Sequence, residues 1–397
     1  MHEADTVGDH VRNARKRRGF SQRELAGLAG VSLSLIKKLE QDDYGDIRLE
    51  TLHKLAIALR VRTTALASGP DAAEPEREDV EQWAPVRRAL DGDTDGEPAE
   101  DPTLDGLSAA FARVVPILVA NRYAEVRAIL PALLRDVDAL VNLSVTGAEP
   151  VARRLRSQVR QVAALLMSHT WQFEAADRAI GLAMEDVSDP LTLMSAVEER
   201  CWGLVRQGRL MQTWDLALHW AEDNEPKMST ASRQELAAWG RLLLRAATAA
   251  VRDNRPGEAR DALRLARMAA VGAGGDFILP YSPWHVFGPL TVSVIEAETA
   301  MIQDRPGRVL AIAGQLEGSA FPVLKYAPRH RLDVAQAYAA MRRYPEAVAV
   351  LQQMRQVAPQ WLVRQRYARD ILGKIVQRRR TLTTEMRELA DFIGLPL

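Results

Sequence analysis

Lys37 and Lys38, with Ser34 one turn before them in "VSLSLIKKLE", are the side chains whose types and spacing most plainly suit a chemistry: contact with a polyanion. An ammonium group neutralises a backbone phosphate as a point charge, and lysine or serine on a helix can also donate to a base edge in the DNA major groove. Elsewhere the sequence lacks the parts that bond-making chemistry needs. It has no G-x-x-x-x-G-K-[ST], no G-x-S-x-G and no H-E-x-x-H; Cys201 is its single cysteine, and its seven histidines include no H-x-x-x-H pair. No catalytic residue, metal ligand set or cofactor is expected, and an enzyme is the least supported reading.

Lysines read bases only from a helix held at a fixed angle, and the flanking residues supply one. Ser21 and Glu24 make an S-x-x-E capping box, which predicts a helix from Gln22 to about Ala29. Gly30 stands where a left-handed residue ends that helix, and Ser32 caps the next. Helical spacing then turns Ile36 and Leu39 inward and leaves Leu33, Ser34, Lys37 and Lys38 on the opposite face. "VGDHVRNARKRRG" reads as a basic amphipathic first helix, and Leu49, Leu52, Leu55, Ala56 and Leu59 as a fourth that closes the core. Two short helices at a steep angle, the second cationic outside, form a helix-turn-helix, which carries one helix into a groove roughly 12 Å wide.

Through "RNARKRRGFSQRELAGLAGVSLSLIKKLEQ" and "LETLHKLAIALRV", residues 7–67 resemble the Cro/lambda-repressor-type (XRE) helix-turn-helix family, a five-helix domain that binds double-stranded DNA. The resemblance implies that Leu33, Ser34 and Lys38 face base edges and that Gln22, Arg23, Ser32 and Lys37 lie near phosphates. It also implies a structural ion pair between Arg15 and Glu40. The following loop, "QDDYGDIR", departs from the pattern: Asp42, Asp43 and Asp46 oppose phosphate contact and leave Tyr44 and Arg48 as its candidate partners. Leu33 cannot hydrogen-bond a base, so a thymine methyl is the contact open to it.

Net charge is zero but unevenly spread. Residues 1–67 carry 12 Lys+Arg against 9 Asp+Glu, residues 68–105 carry 3 against 13, and residues 106–397 carry 37 against 30. The middle segment is an acidic linker rich in Pro and Gly, in which Val80, Trp83, Val86 and Leu90 recur at helical spacing and suggest a short docking helix over 78–90, distorted at Pro85. From residue 106 to 397 the pattern is helical throughout. Six alike turns, "NRYAEV", "WQFEAA", "GRLMQT", "NRPGEA", "DRPGRV" and "RRYPEA", punctuate it, at spacings of 50, 37, 46, 50 and 38 residues from Tyr123 to Tyr344. One two-helix repeat needs about 34 residues, so the longer spacings imply insertions. "LDVAQAYAAMRRYPEAVAVLQQM" resembles a tetratricopeptide repeat through Ala335, Tyr338, Tyr344 and Ala347, although the other units are degenerate. The expected fold is therefore all-α, a lambda-repressor-like domain followed by a tetratricopeptide-like array of helical hairpins. An irregular bundle is the alternative.

The array holds no catalytic motif. "GAGGDFILP" reads as a loop within an insertion, residues 271–289, that gathers Phe277, Tyr281, Trp284, His285 and Phe287 either as a cap on the core or as the wall of a ligand pocket. Trp202 and Trp239 are open to the same two readings, and Arg206, Arg241 and Arg245 lie either on solvated faces or against an acidic ligand. The domain order resembles that of bacterial regulators, of a kind common in actinobacteria, whose repeat domains receive peptides. Those receptors grip the peptide backbone with asparagines, and here only Asn121, Asn142, Asn224 and Asn254 follow residue 100; of a small-molecule, peptide or protein effector, the peptide is thus the one the residues do not support, and the other two stay open. No stretch approaches the ~20 apolar residues of a membrane span, so a cytoplasmic protein without a membrane partner is expected. The sequence thus reads as a homodimeric DNA-binding regulator; a protein-interaction scaffold whose helix-turn-helix does not bind DNA is the alternative.

Overall fold

A computed structural model describes residues 6–41, 47–67, 77–92, 101–143, 149–187, 189–317, 326–379 and 381–395. The first domain is built from α1 (Val7–Arg17), α2 (Gln22–Ala29), α3 (Leu33–Glu40), α4 (Leu49–Leu59) and a fifth element that is a single 3-10 turn, Thr63–Ala65. Its caps are the ones the sequence implied. Ser21 Oγ accepts from Glu24 N while the Glu24 carboxylate accepts from Ser21 N, Gly30 ends α2 at φ 64°, and Ser32 Oγ accepts from Leu35 N. The core is Val11, Leu25, Ile36, Leu39, Leu52, Leu55 and Leu59 with their neighbours.

The acidic linker's Trp83 segment is two short helices, α5 (Arg77–Gln82) and α6 (Ala84–Leu90). Pro85 does not kink a longer helix. It falls in the first turn of α6, where its missing N–H costs nothing. Trp83 is 1% exposed and, with Val86, Ala89 and Leu90, belongs to the core of the following helices. Arg127 lies over its ring, Arg87 donates to Gln172, and Arg178 pairs with Asp91. Helical structure packed in the core of the array therefore starts before residue 106.

The array runs through α7 (Leu104–Val119), α8 (Tyr123–Leu143), α9 (Glu149–His169), α10 (Phe173–Glu185), α11 (Pro190–Arg206), α12 (Leu210–Asp223), α13 (Arg233–Arg252), α14 (Pro256–Gly272), α15 (Pro289–Ile302), α16 (Pro306–Leu316), α17 (Tyr326–Ala340) and α18 (Tyr344–Val357), and ends in α19 (Pro359–Val363), α20 (Arg366–Gln377) and α21 (Thr384–Ile393). Consecutive helices from α7 to α13 each pack on the next. The likeness of the six turns has a backbone cause. The first residue of each motif, Asn121, Trp171, Gly208, Asn254, Asp304 or Arg342, is left-handed, with φ between 56° and 71°. In every turn the next residue's N–H bonds the carbonyl five positions back, as in Arg122 N to Ile117 O and Arg343 N to Tyr338 O, the bond of a Schellman cap. The next helix begins one residue later. The 50-residue spacing after Tyr123 comes from two 21-residue helices, α8 and α9, and not from an inserted loop.

The segment read as a loop is a β-hairpin, β1 (Phe277–Leu279) and β2 (Ser282–Phe287), antiparallel with Phe277 opposite Phe287. Gly288 lets the chain leave it: a side chain there would meet the Asp276 backbone at 2.4 Å, and the Asp276 carboxylate accepts from Leu290 N and Thr291 N to cap α15. The hairpin reaches across the array. Trp284 meets Phe111 of α7 edge-to-face at 6.0 Å, Gln158 of α9 donates to Tyr281 O, and Phe287 covers Gly240 of α13. A Cβ at residue 240 would lie 2.1 Å from Phe287 Cζ. Gly240→Ala is accordingly expected to cost about 1–3 kcal/mol through overpacking despite alanine's better helix propensity, measurable by denaturant unfolding. A neutral or stabilising result would mean that the hairpin does not sit on α13.

Candidate nucleic-acid interface and the array that holds it

α3 presents Ser34, Lys37 and Lys38 to solvent, and Arg23 on α2 and Ser32 at the start of α3 are exposed beside them. The helix is held at its far end by Glu40, which is 3% exposed and takes a two-pronged bond from Arg15, Nε to Oε1 at 2.6 Å and Nη2 to Oε2 at 2.7 Å. Burial pushes the Glu40 carboxyl up, but bonds from Arg15 and Gln22 outweigh it and hold it below the usual range. The Arg15–Glu40 pair thus fixes α3 against α1, the structural part that the family resemblance implied for it.

Several expected contacts are placed differently. Gln22 donates to Glu40 Oε2 at 2.9 Å, so its amide serves the ion pair and does not project toward a phosphate. Leu33 is half-buried against the domain core, because an apolar side chain at the first turn of α3 reaches the α2–α3 junction more cheaply than water. Tyr44, with Asp42, Asp43 and Asp46, lies outside the described residues. Arg48, though 71% exposed, pairs with Asp370 of α20 at 2.6 Å.

That pair belongs to an interface the sequence did not reveal. The Thr63 hydroxyl donates to Arg252 O at 2.7 Å, the Thr64 hydroxyl and N–H both donate to Asp253 Oδ1, and Asn254 Nδ2 donates to Val61 O. Lys374 reaches Glu50 at 3.2 Å. The back of the first domain, α4 and the 3-10 turn, is therefore seated on the α13–α14 turn and on α20, while the exposed side of α3 carries none of these bonds. An exposed ion pair contributes at most about 1 kcal/mol. On the reading that Arg48 also touches DNA, Asp370→Asn should raise operator affinity by up to about fivefold in fluorescence polarisation; unchanged or weaker binding removes Arg48 from the DNA face.

The residues expected to contact an effector separate into two groups. Trp239, Tyr281, Trp284 and Phe287 are core, with Trp239 Nε1 donating to Ala221 O and Tyr281 Oη to Gln234 O. These side chains make the hairpin a strap over the core, with Phe277 half-buried and Ile278 exposed on β1. Arg241 and His285 join a buried network, contrary to a solvated face for Arg241. Arg241 Nη2 meets Glu198 Oε1 at 2.7 Å, Arg245 reaches the same oxygen at 2.5 Å, and His285 Nε2 lies 2.9 Å from Glu199 Oε1, which Trp284 Nε1 also approaches. Glu198, Glu199 and His285 come close enough to share a cation. Two guanidiniums already neutralise Glu198, however, so this donor set fits an ion-pair network better than a metal.

Trp202, Arg206 and Arg245 remain partly open, and they adjoin Trp171, a tryptophan open to the same core or pocket readings, and Arg366, which sequence reasoning did not connect with them. Arg206 lies 4.7 Å from the Trp171 ring and 5.9 Å from Trp202, Arg245 is 4.8 Å from Trp202, and Arg366 is 4.5 Å from Trp171. The available signal was the turn pattern itself: Trp171 occupies the left-handed position that Gly208 and Asn254 fill elsewhere, an uncommon place for a bulky residue.

Among the described residues no helix is long and apolar enough to cross a membrane. No curated protein and no solved structure matches the chain. Residues 11–66 match the helix-turn-helix family model, of the XRE type, which makes the first domain a helix-turn-helix domain of the DNA-binding kind.

Proposed function

We propose that this protein is a sequence-specific transcriptional regulator of the cytoplasm, not an enzyme, whose helical array pairs two copies and receives an effector. The observation that carries the reading is a complete helix-turn-helix domain, matched over residues 11–66, whose second helix leaves Ser34, Lys37 and Lys38 exposed while its back is fixed to the array. One such domain spans few base pairs, and proteins of this geometry gain affinity by placing two of them one helical turn of DNA apart, or a multiple of it. A domain seated by α4 on a large array is suited to that: pairing of arrays sets the distance between recognition helices. The tetratricopeptide-like reading of the array is supported by its regular Schellman turns. Sedimentation of the full chain with a selected operator tests the proposal, with two chains per operator expected; one chain per operator removes the dimer from the account. The scaffold reading draws on one observation, the use of Arg48 and Glu50 to hold α20.

A further inference from the structure

We infer that the surface where the α9–α10 turn meets the start of α20 is a binding site for a small oxyanion, a carboxylate- or phosphate-bearing molecule, held by Arg206 and Arg366. The inference rests on reading the array as a sensor and gives that sensor a site and a ligand class.

Its basis is an imbalance of partners. The arginines lining this region are mostly neutralised: Arg241 and Arg245 at Glu198, Arg252 and Arg329 at Glu298. Arg206 and Arg366 are not. Arg206 Nε donates to Ser168 O at 3.0 Å, and neither guanidinium has a carboxylate within 4 Å among the described residues. Both instead border Trp171, in a series running Arg366, Trp171, Arg206, Trp202, Arg245 with ring-to-guanidinium distances of 4.5 to 5.9 Å. Indole faces hold guanidinium planes in place, and apart from the Arg206 Nε bond to Ser168 O the Nη groups of both arginines make no hydrogen bond among the described residues; such an edge fits two oxygens of a carboxylate or phosphate. Burial, followed by the like charges of Arg329 and Arg366, pushes the Arg206 guanidinium down to about 10, so an anion here would relieve repulsion as well as form bonds.

The surroundings fit a site and not a closed core. Trp171, Trp202 and Arg206 are half-buried and Arg366 is exposed, so the series can be reached from water at its Arg366 end. Trp171 holds a φ of 62°, a conformation costly for a bulky side chain, and strain of this kind persists where surrounding structure enforces it. α20 also links the site to the DNA-binding domain. Arg366 begins the helix, and Asp370 and Lys374, one and two turns on, are the partners of Arg48 and Glu50. An anion that draws Arg366 toward Arg206 therefore acts on the helix against which α4 is seated.

The test uses the full-length protein, isothermal titration and three probes: benzoate, inorganic phosphate and the neutral isostere benzamide. One of the two anions is expected to bind with a stoichiometry of one per chain, and benzamide not at all; which anion binds tells a carboxylate ligand from a phosphate. Arg206→Gln and Arg366→Gln should each weaken that binding at least tenfold. Arg355→Gln, at an arginine that rests on Phe392 elsewhere in the array, should leave it unchanged. Arg366 is exposed, so its variant reports on the site even if Arg206→Gln unfolds, and circular dichroism identifies that case. Binding of neither anion, or equal binding by wild type and Arg366→Gln, overturns the site. Operator affinity measured without any anion reports separately on the regulator reading, so the two can fail independently.

Discussion

Glu198→Ala is expected to destabilise the array by about 3–5 kcal/mol, because it strands the buried guanidinium of Arg241 and the half-buried one of Arg245 at once. Glu198 is 2% exposed, and its Oε1 lies 2.7 Å from Arg241 and 2.5 Å from Arg245. Arg241 Nη1 also holds Val286 O, so the same loss loosens the hairpin that straps α13 to α7. Glu198→Gln keeps an acceptor oxygen for both arginines, loses the charge, and should cost less. The pair also predicts an acid response. Desolvation pushes the Glu198 carboxyl up, but Arg241 and Arg245 more than offset it and hold it at about 2, against 4.5 unfolded. A carboxyl depressed in the folded state contributes its full stability above the unfolded value and loses it as pH falls through the folded one. Thermal unfolding followed from pH 6 downward should therefore show a decline between about 4.5 and 2 in the wild type that is smaller in Glu198→Ala, where Glu298, held low against its burial by Arg252 and Arg329, keeps its own share. Indistinguishable profiles would show that the network contributes nothing.

The largest expected effect on function is that of Lys37→Ala combined with Lys38→Ala, which should remove specific operator retention while leaving thermal unfolding unchanged, since both side chains are exposed. The two single variants should differ in kind. Lys38→Ala removes a donor from the face turned to the bases, costs about 1–3 kcal/mol, and relaxes preference at one position of the operator. Lys37→Ala removes a phosphate contact, weakens all sequences alike, and lowers the slope of log affinity against log salt by about one. If the double variant shifts labelled operator as well as the wild type does, this face of α3 does not bind DNA.

Local chemistry was legible in the sequence, and distant pairing was not. Ser21 with Glu24, Gly30 and Ser32 are caps whose partners lie within three or four residues, so spacing alone located α2 and α3. The six turns were legible for the same reason, as each is one left-handed residue followed by a helix start. The hairpin was missed because alternation marks a strand only when one face meets water. β2 is buried along almost its whole length and β1 has three residues, so neither shows a period of two. Arg48 illustrates the harder limit. Nothing near it announces Asp370, 322 positions away, and an exposed arginine beside a recognition helix suits a phosphate equally well. Trp171 and Arg366 likewise meet only because the array brings α20 back against the α9–α10 turn, a consequence of summed packing across many helices that no local motif encodes.

The central claim, that α3 reads DNA sequence, is tested most directly by selecting random duplex fragments with the full-length protein at physiological salt and sequencing the bound pool. The account predicts enrichment of a short shared sequence, present as two half-sites separated by one helical turn or a multiple of it, and its loss from the pool selected by the Lys37→Ala, Lys38→Ala variant. A pool without a shared sequence, or the same enriched sequence from wild type and double variant, would contradict it.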